Sequence, residues 1–385
     1  TTAPVLQNPT PTGFINATTP TVSATFTDVG GSGFASLTTF TIDGGDVSFG
    51  ATVPGAGALS GTISQTSPVL AEGSHNVVIA VQDAAGNAAS LAWSFTVDTT
   101  PPVAPTTVTA PDPTNDTTPT FTWDAGTDVG GSGVASYTVE VWSAGWGGII
   151  GAPYTGITGL TFTVPQPNAL SPDGDYGVRV YAVDVAGNVS LGYGSDTFVL
   201  DTGKPVLSNG TPTGLQPATG LLTMQFADDR TGLDGSATDI ELVDGLGNPG
   251  TVGLYTQPGD GTLTGQISAT YSAPTDGTWT VTATIKDLAG NESDPLTWSF
   301  QVDTTPPTVT GIYPVDESTT WDKWTEIHAI ILDGEAPDGT PGSGVDQSSI
   351  SGRIFPEGAM PLPLFLSSYD TGTGLAVLQV PIGWD

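Results

Sequence analysis

The chain has 385 residues, with 39 Asp and Glu against 6 Lys and Arg, a formal net charge of −33 and no cysteine. That charge disfavours nucleic acid and anionic membrane surfaces as partners and makes a cation the natural complement. The missing cysteines exclude a disulfide framework, and no apolar run nears the roughly 18 residues of a membrane span, so neither stapling nor membrane insertion is expected.

In chain order, residues 21–27 read Thr-Val-Ser-Ala-Thr-Phe-Thr, which puts Val22, Ala24 and Phe26 on one face of a half-buried strand. A glycine-rich turn follows at 27–33 (TDVGGSG), then a strand through Val77, Ile79 and Val81, the phrase DAAGN at 83–87, a strand through Trp93, Phe95 and Val97, and the linker DTTPP at 98–102. The same marks return at 127–133, 184–188 (DVAGN) and 201–205 (DTGKP). They return again at 228–234, at 287–291 (DLAGN), at Trp298, Phe300 and Val302, and at 303–307 (DTTPP). A looser glycine-rich turn spans 333–344.

The linker aspartates Asp98, Asp201 and Asp303 stand 103 and 102 residues apart, so the chain is a tandem array with expected modules 1–100, 101–203, 204–305 and 306–385. The 52 glycines and 32 prolines fall at boundaries between alternating apolar runs and read as turns rather than disorder. No stretch sustains a helical apolar period. The predicted fold class is therefore all-β, a tandem series of immunoglobulin-like sandwiches in an extended array, with about seven short strands per module. A ring stands eight residues before each Asp-x-Ala-Gly-Asn, at His75, Tyr176 and Trp279, where strand F of such a sandwich begins; it is expected to cap the core.

Together, Asp-x-Ala-Gly-Asn, an aromatic strand and Val-Asp-Thr-Thr-Pro-Pro resemble the bacterial Ig-like repeats of large surface adhesins, through the first three modules and part of the fourth. The resemblance implies modules similar in fold to those of cadherins and fibronectin, an extracellular or cell-surface location, and calcium that stiffens the junctions. The function it implies is that of a non-enzymatic structural or adhesive stalk whose partners are neighbouring modules of the same or an identical chain, surface glycans or another filament.

The residues themselves point to a metal as well. In an Ig-like sandwich the B–C and F–G loops share the pole where the chain arrives. That pole should gather Asp28, Asp83 and Asn87 in the first module; Asp128, Asp184 and Asn188 with the incoming Asp98 in the second; and Asp228, Asp287 and Asn291 with Asp201 in the third. In the fourth it should gather Asp333 with Asp303. Carboxylates this close raise one another's pKa unless a cation or hydrogen bonds compensate. Calcium takes six to eight oxygens, and no thiolate or imidazole is available to favour zinc or copper. Calcium is expected at the first junction. At the second, Lys204 and Arg230 bring positive charge and disfavour it; at the third, the F–G loop is missing. The competing reading is that Asp and Asn beside Gly only shape turns by bonding their own backbone.

The fourth module stops where its sisters enter strand F, so it should lack the last two strands. It is expected to be either part of a longer array or an open sandwich completed by a partner's strand, as in a filament or sheath subunit. Catalysis is not expected: the acids recur at the same slots in every module, and the two histidines, His75 and His328, are not equivalent. Trp142 and Trp146, among glycines and unique to the second module, could stack on a sugar ring or partner chain, or pack in the core.

Overall fold

The computed structural model describes residues 2–143, 147–313, 326–355 and 360–380. It divides into two compact units, Thr1–Leu200 and Asp201–Asp385, and each unit holds two separate hydrophobic cores. The described residues contain no α-helix, only two 3-10 turns, Gln166–Asn168 and Gln347–Ser349. No helix among them is long and apolar enough to cross a membrane. The chain is an all-β tandem array of Ig-like sandwiches.

In the first unit the first core lies between two sheets. They are built from β1 (Val5–Thr10), β2 (Gly13–Ile15), β3 (Thr21–Thr27), β4 (Phe34–Ile42), β5 (Gly45–Asp46), β6 (Ser60–Thr66), β7 (Gly73–Asp83) and β8 (Ala88–Val97). The sheet orders are β1-β3-β6 and β2-β8-β7-β4-β5. The edge strand changes sheet between β1 and β2: β1 pairs antiparallel with β3 and β2 parallel with β8. Alternation in β3 and β7 buries Val22, Ala24 and Phe26 against Val77, Ile79 and Val81, with Phe26 meeting Phe34 edge-on at 5.3 Å. Trp93 is half-buried, and its indole N–H donates to Pro11 O at the sheet change.

The second core has sheets of three and four strands, the latter ordered Tyr154–Ile157, Val134–Ser143, Gly174–Asp184 and Gly194–Leu200. In the second unit, the third core repeats the plan of the first, with Gly214–Gln216 parallel to Leu296–Val302. The fourth is different: its described strands form a single five-stranded sheet running Thr308–Tyr313, Glu326–Leu332, Leu375–Gln379, Leu362–Asp370, Gly352–Ile354. Its buried residues are Ala329, Ile331, Leu364, Ala376 and Leu378.

The three rings at the start of strand F do one job with three chemistries. His75 Nε2, Tyr176 Oη and Trp279 Nε1 each bond the carbonyl four residues back, at Ala71, Pro172 and Thr275, over 2.8, 2.5 and 2.8 Å. Each ring is buried over its core and ties the E–F corner to it.

Candidate cation sites at the module poles

The pole of each module is a hydrogen-bonded scaffold that starts with the turn after strand B. Asp28, Asp128, Asp228 and Asp333 each accept, through Oδ2, the N–H of the glycine that closes the turn (Gly33, Gly133, Gly232, Gly344) at 2.7 Å. The glycine-rich spelling is steric: a Cβ on Gly131 would lie 2.4 Å from Asp128 Oδ1, and Gly133 has φ +89. In the F–G loop, Asp83, Asp184 and Asp287 each accept from the backbone N–H and the side-chain amide of the asparagine four residues on, at 2.7–2.8 Å. The loops are joined by Ser32 and Ser132, whose hydroxyls accept from Ala85 and Ala186 N–H.

The linker aspartate then docks on the turn. Asp98 Oδ2 accepts from Ser132 N–H at 2.6 Å, and Asp303 Oδ2 from Ser343 N–H at 2.6 Å. Asp201 Oδ2 accepts both the N–H and the hydroxyl of Thr231. Asn188 and Asn291 reach the linker backbone too, donating Nδ2 to Asp98 O at 2.8 Å and to Asp201 O at 2.9 Å. Both bonds of each side-chain amide run through nitrogen, so Asn188 and Asn291 are tethers here. The side-chain oxygens, the atoms expected from sequence to ligate a cation, take no part in these bonds; Asn87 likewise turns its nitrogen to Asp83.

Two triads of carboxylates result. Asp98, Asp128 and Asp184 each offer an oxygen within 4.8 Å of the others, and so do Asp201, Asp228 and Asp287. Asp98, Asp184, Asp201 and Asp287 are nearly sealed from solvent, at 3, 2, 0 and 1 % exposure. At such spacing each charged pair repels by on the order of a few kcal/mol at the effective dielectric of a protein. Burial pushes the Asp98 carboxyl up, but the bonds from Ser132 and Thr100 outweigh it and hold the group below the usual carboxylate range. At Asp287 burial wins: with repulsion from Asp201 and Asp228 added, it raises the carboxyl in spite of the Asn291 bonds. Asp228 Oδ1 is buried with no hydrogen-bond donor against it.

At the second triad the two cations set against calcium from sequence are Lys204 and Arg230. Lys204 turns away to Asp294, 2.7 Å from its carboxylate, and Arg230 is exposed. The carboxylate oxygens of both triads are the donor set that suits a hard cation such as calcium. In the first module Asp28 and Asp83 share the pole as a pair, both 2 % exposed, with Asp28 Oδ1 also buried and unpartnered. Asp303 and Asp333 are bridged by Ser343, and no third carboxylate among the described residues joins them.

Sequence reasoning missed the acids that clip the first and third linkers from behind. Glu72 accepts the N–H and hydroxyl of Thr99, and Asp276 the N–H and hydroxyl of Thr304 plus the hydroxyl of Thr305. The signal was present: an acid-glycine pair begins three residues before each ring, at Glu72, Asp173 and Asp276. Also missed was Asp244-Gly-Leu-Gly-Asn248, which repeats the F–G bonding, with Asn248 N–H and Nδ2 on Asp244 at 2.7 and 2.9 Å. No triad forms there among the described residues. The Asp-x-x-Gly-Asn loop is thus a turn device in its own right, and only the linker and B–C aspartates convert it into a cluster.

Trp142 is half-buried and stacks with an arginine. The Arg179 guanidinium carbon lies 4.4 Å from the centroids of both the Trp142 and Tyr193 rings, and Trp142 Nε1 donates to Glu140 at 3.1 Å. One ring face is therefore occupied. Trp146 lies outside the described residues.

Among known proteins, Exoglucanase B of Cellulomonas fimi is 31 % identical over 301 residues. The match takes in 76 % of this chain, which spans only 25 % of that protein's length. No family model matches the chain. Solved structures overlay in part. A calcium-stabilised ice-binding adhesin of an Antarctic bacterium (20 % identity, 87 % of this chain, 83 % of that one) gives a TM-score of 0.34. A tetra-tandem repeat from the extending region of a large adhesion protein (21 %, 91 % and 93 %) gives 0.28, and the ICAM-5 D1–D4 ectodomain fragment (13 %, 98 % and 99 %) gives 0.30. Overlays at these scores decide nothing about the fold, which rests on strand order and pairing.

Proposed function

We propose that this chain is a non-enzymatic extracellular or cell-surface stalk of four Ig-like modules, 1–100, 101–203, 204–305 and 306–385, in which calcium stiffens the links between modules. The observation that carries the reading is the first triad. Asp98 belongs to the linker leaving one core, Asp128 and Asp184 to the two loops of the next, and a cation shared among them would bind linker to module. The same construction at Asp201, Asp228 and Asp287 supports a second cation there, anchoring the linker that enters the third module.

The acids repeat by module instead of forming one unique constellation, which favours scaffold over catalysis. The Cellulomonas fimi relative is named for its enzymatic activity, and the part that this chain matches is proposed to be non-catalytic. A second reading is assembly with another copy by strand exchange at the fourth module, favoured by its single described sheet. Glycan contact through Trp142 is weaker, because Arg179 covers that ring.

The test is calorimetry and small-angle scattering of the full chain in calcium and in chelator. Asp128→Asn keeps an oxygen for Gly133 N–H while removing one charge. It should raise stability in chelator and cancel most of the calcium response of the second module. If the parent melts and scatters identically in both conditions, the acids are turn formers only.

A further inference from the structure

The turn after strand B is six residues longer in the fourth module than in the second: Asp333 accepts from Gly344 eleven positions on, where Asp128 accepts from Gly133 five positions on. The extra residues form a small hairpin. Ala336 and Thr340 bond across it, Glu335 and Pro341 bridge, and Gly342 N–H returns to Gly334 O. Gly339 supplies the positive φ of +81 that its tight tip needs.

The tip lies in the third module. Asp338 Oδ2 accepts Thr278 N–H at 2.8 Å, its Oδ1 accepts Thr340 N–H at 2.9 Å, and the hydroxyls of Thr278 and Thr340 meet at 2.9 Å. The seat is shaped by two glycines. A Cβ on Gly245 would lie 2.6 Å from Asp338 Oδ2, and one on Gly277, where φ is +130, would lie 2.8 Å from the carboxylate. The Asp338 carboxyl is held below its ordinary range by the Thr278 and Thr340 bonds, so it is charged at neutral pH and makes charge-assisted contacts.

We infer that the hairpin 334–342 is a latch that locks the fourth module to the third through Asp338 in the Gly245–Gly277–Thr278 seat, making this junction stiff without a metal ion. The latch replaces what the third junction lacks, since Asp303 and Asp333 gather no third carboxylate among the described residues. Its geometry is independent of whether calcium binds the two triads; its value to a stalk rests on the proposed function.

The chain has no cysteine, so spin labels placed by Leu254→Cys in the third module and Phe365→Cys in the fourth, both exposed, report this junction alone by pulsed electron resonance. In the full chain the distance distribution should be narrow and equal in calcium and in chelator. Asp338→Ala removes the latch from one side and Gly245→Ala fills the seat from the other; each should broaden the distribution about twofold or more, as a released hinge does. Both should keep the melting transition of the third module, because neither residue belongs to its core. The proposal fails if the two variants stay as narrow as the parent, if chelator alone broadens the parent, or if either variant loses that transition. A scattering response to calcium at the first junction can fail separately, so loss of the calcium reading and loss of the latch are distinguishable.

Discussion

At the first junction Asp98 meets Asp128 and Asp184 across a buried pole; at the third, Asp303 meets Asp333 through Ser343, and Asp338 grips the preceding module instead. The linker phrase is the same at both, and so is its rear clip, Glu72 on Thr99 in one case and Asp276 on Thr304 in the other. What differs is the arriving loop. A five-residue turn brings a carboxylate to the linker and leaves charge to be neutralised, whereas an eleven-residue one folds on itself and carries its charge to backbone donors of the neighbour. In the proposed reading the first design makes stiffness conditional on a cation, and the second builds it into the chain.

The largest expected effect separates the two directly. Calcium at a hundred times its dissociation constant should stabilise the second module by about 2.7 kcal/mol, read as a rise in its calorimetric transition. Asp184→Ala should remove that rise, while the labelled third junction shows no calcium dependence. A calcium-sensitive third junction would erase the distinction.

Next comes the tether. Asn188→Ala deprives Asp184 and the carbonyl of Asp98 of a shared donor in a half-buried site, a loss of about 1–3 kcal/mol in chelator by chemical denaturation. The third junction has no counterpart among its described residues and should be untouched. A loss under a few tenths of a kcal/mol would mean that the linker is held by other contacts.

Smaller still is the rear clip. Glu72→Gln keeps an acceptor for Thr99 but removes the charge at an exposed site, so the cost should stay within about 1 kcal/mol. Asp276→Asn should behave alike, because the clip is common to both junctions. Unequal effects would show that the latch shares load with Asp276.

The smallest effect is a pH dependence confined to the first module. His75 Nδ1 faces the Asp43 carboxylate at 2.6 Å and Nε2 faces Ala71 O, two acceptors that the ring satisfies fully only as imidazolium. Burial opposes the charge, but the bonds to Asp43 and Ala71 outweigh it and raise the imidazole, while the His75 bond lowers Asp43. A raised folded value for His means that the stabilisation is complete below the ordinary imidazole value near 6.5 and is lost as pH rises through the folded value. The lowered Asp43 limits it on the acid side. With Asp43 half exposed, the effect should not exceed about 1 kcal/mol. It should vanish in His75→Tyr, which copies Tyr176. A module with equal stability at pH 5.5 and pH 8 would refute the imidazolium.

Strand identity, the sandwich class and the gathering of Asp98, Asp128 and Asp184 at one pole were legible because they depend on local periodicity and on loop order in a known architecture. Residues 21–27, expected as one strand, are β3 from first residue to last. Three things were not legible from the chain alone. Which atom of Asn188 faces the cluster, where Lys204 points and where the tip of 334–342 lands all depend on neighbours ninety, ninety and sixty residues away. An amide can offer oxygen or nitrogen, a lysine can reach several acids, and a hairpin of given sequence can project anywhere. Sequence determined which groups arrive at each pole; only packing decided which way each one turned, because that choice is made by the partner and not by the residue itself.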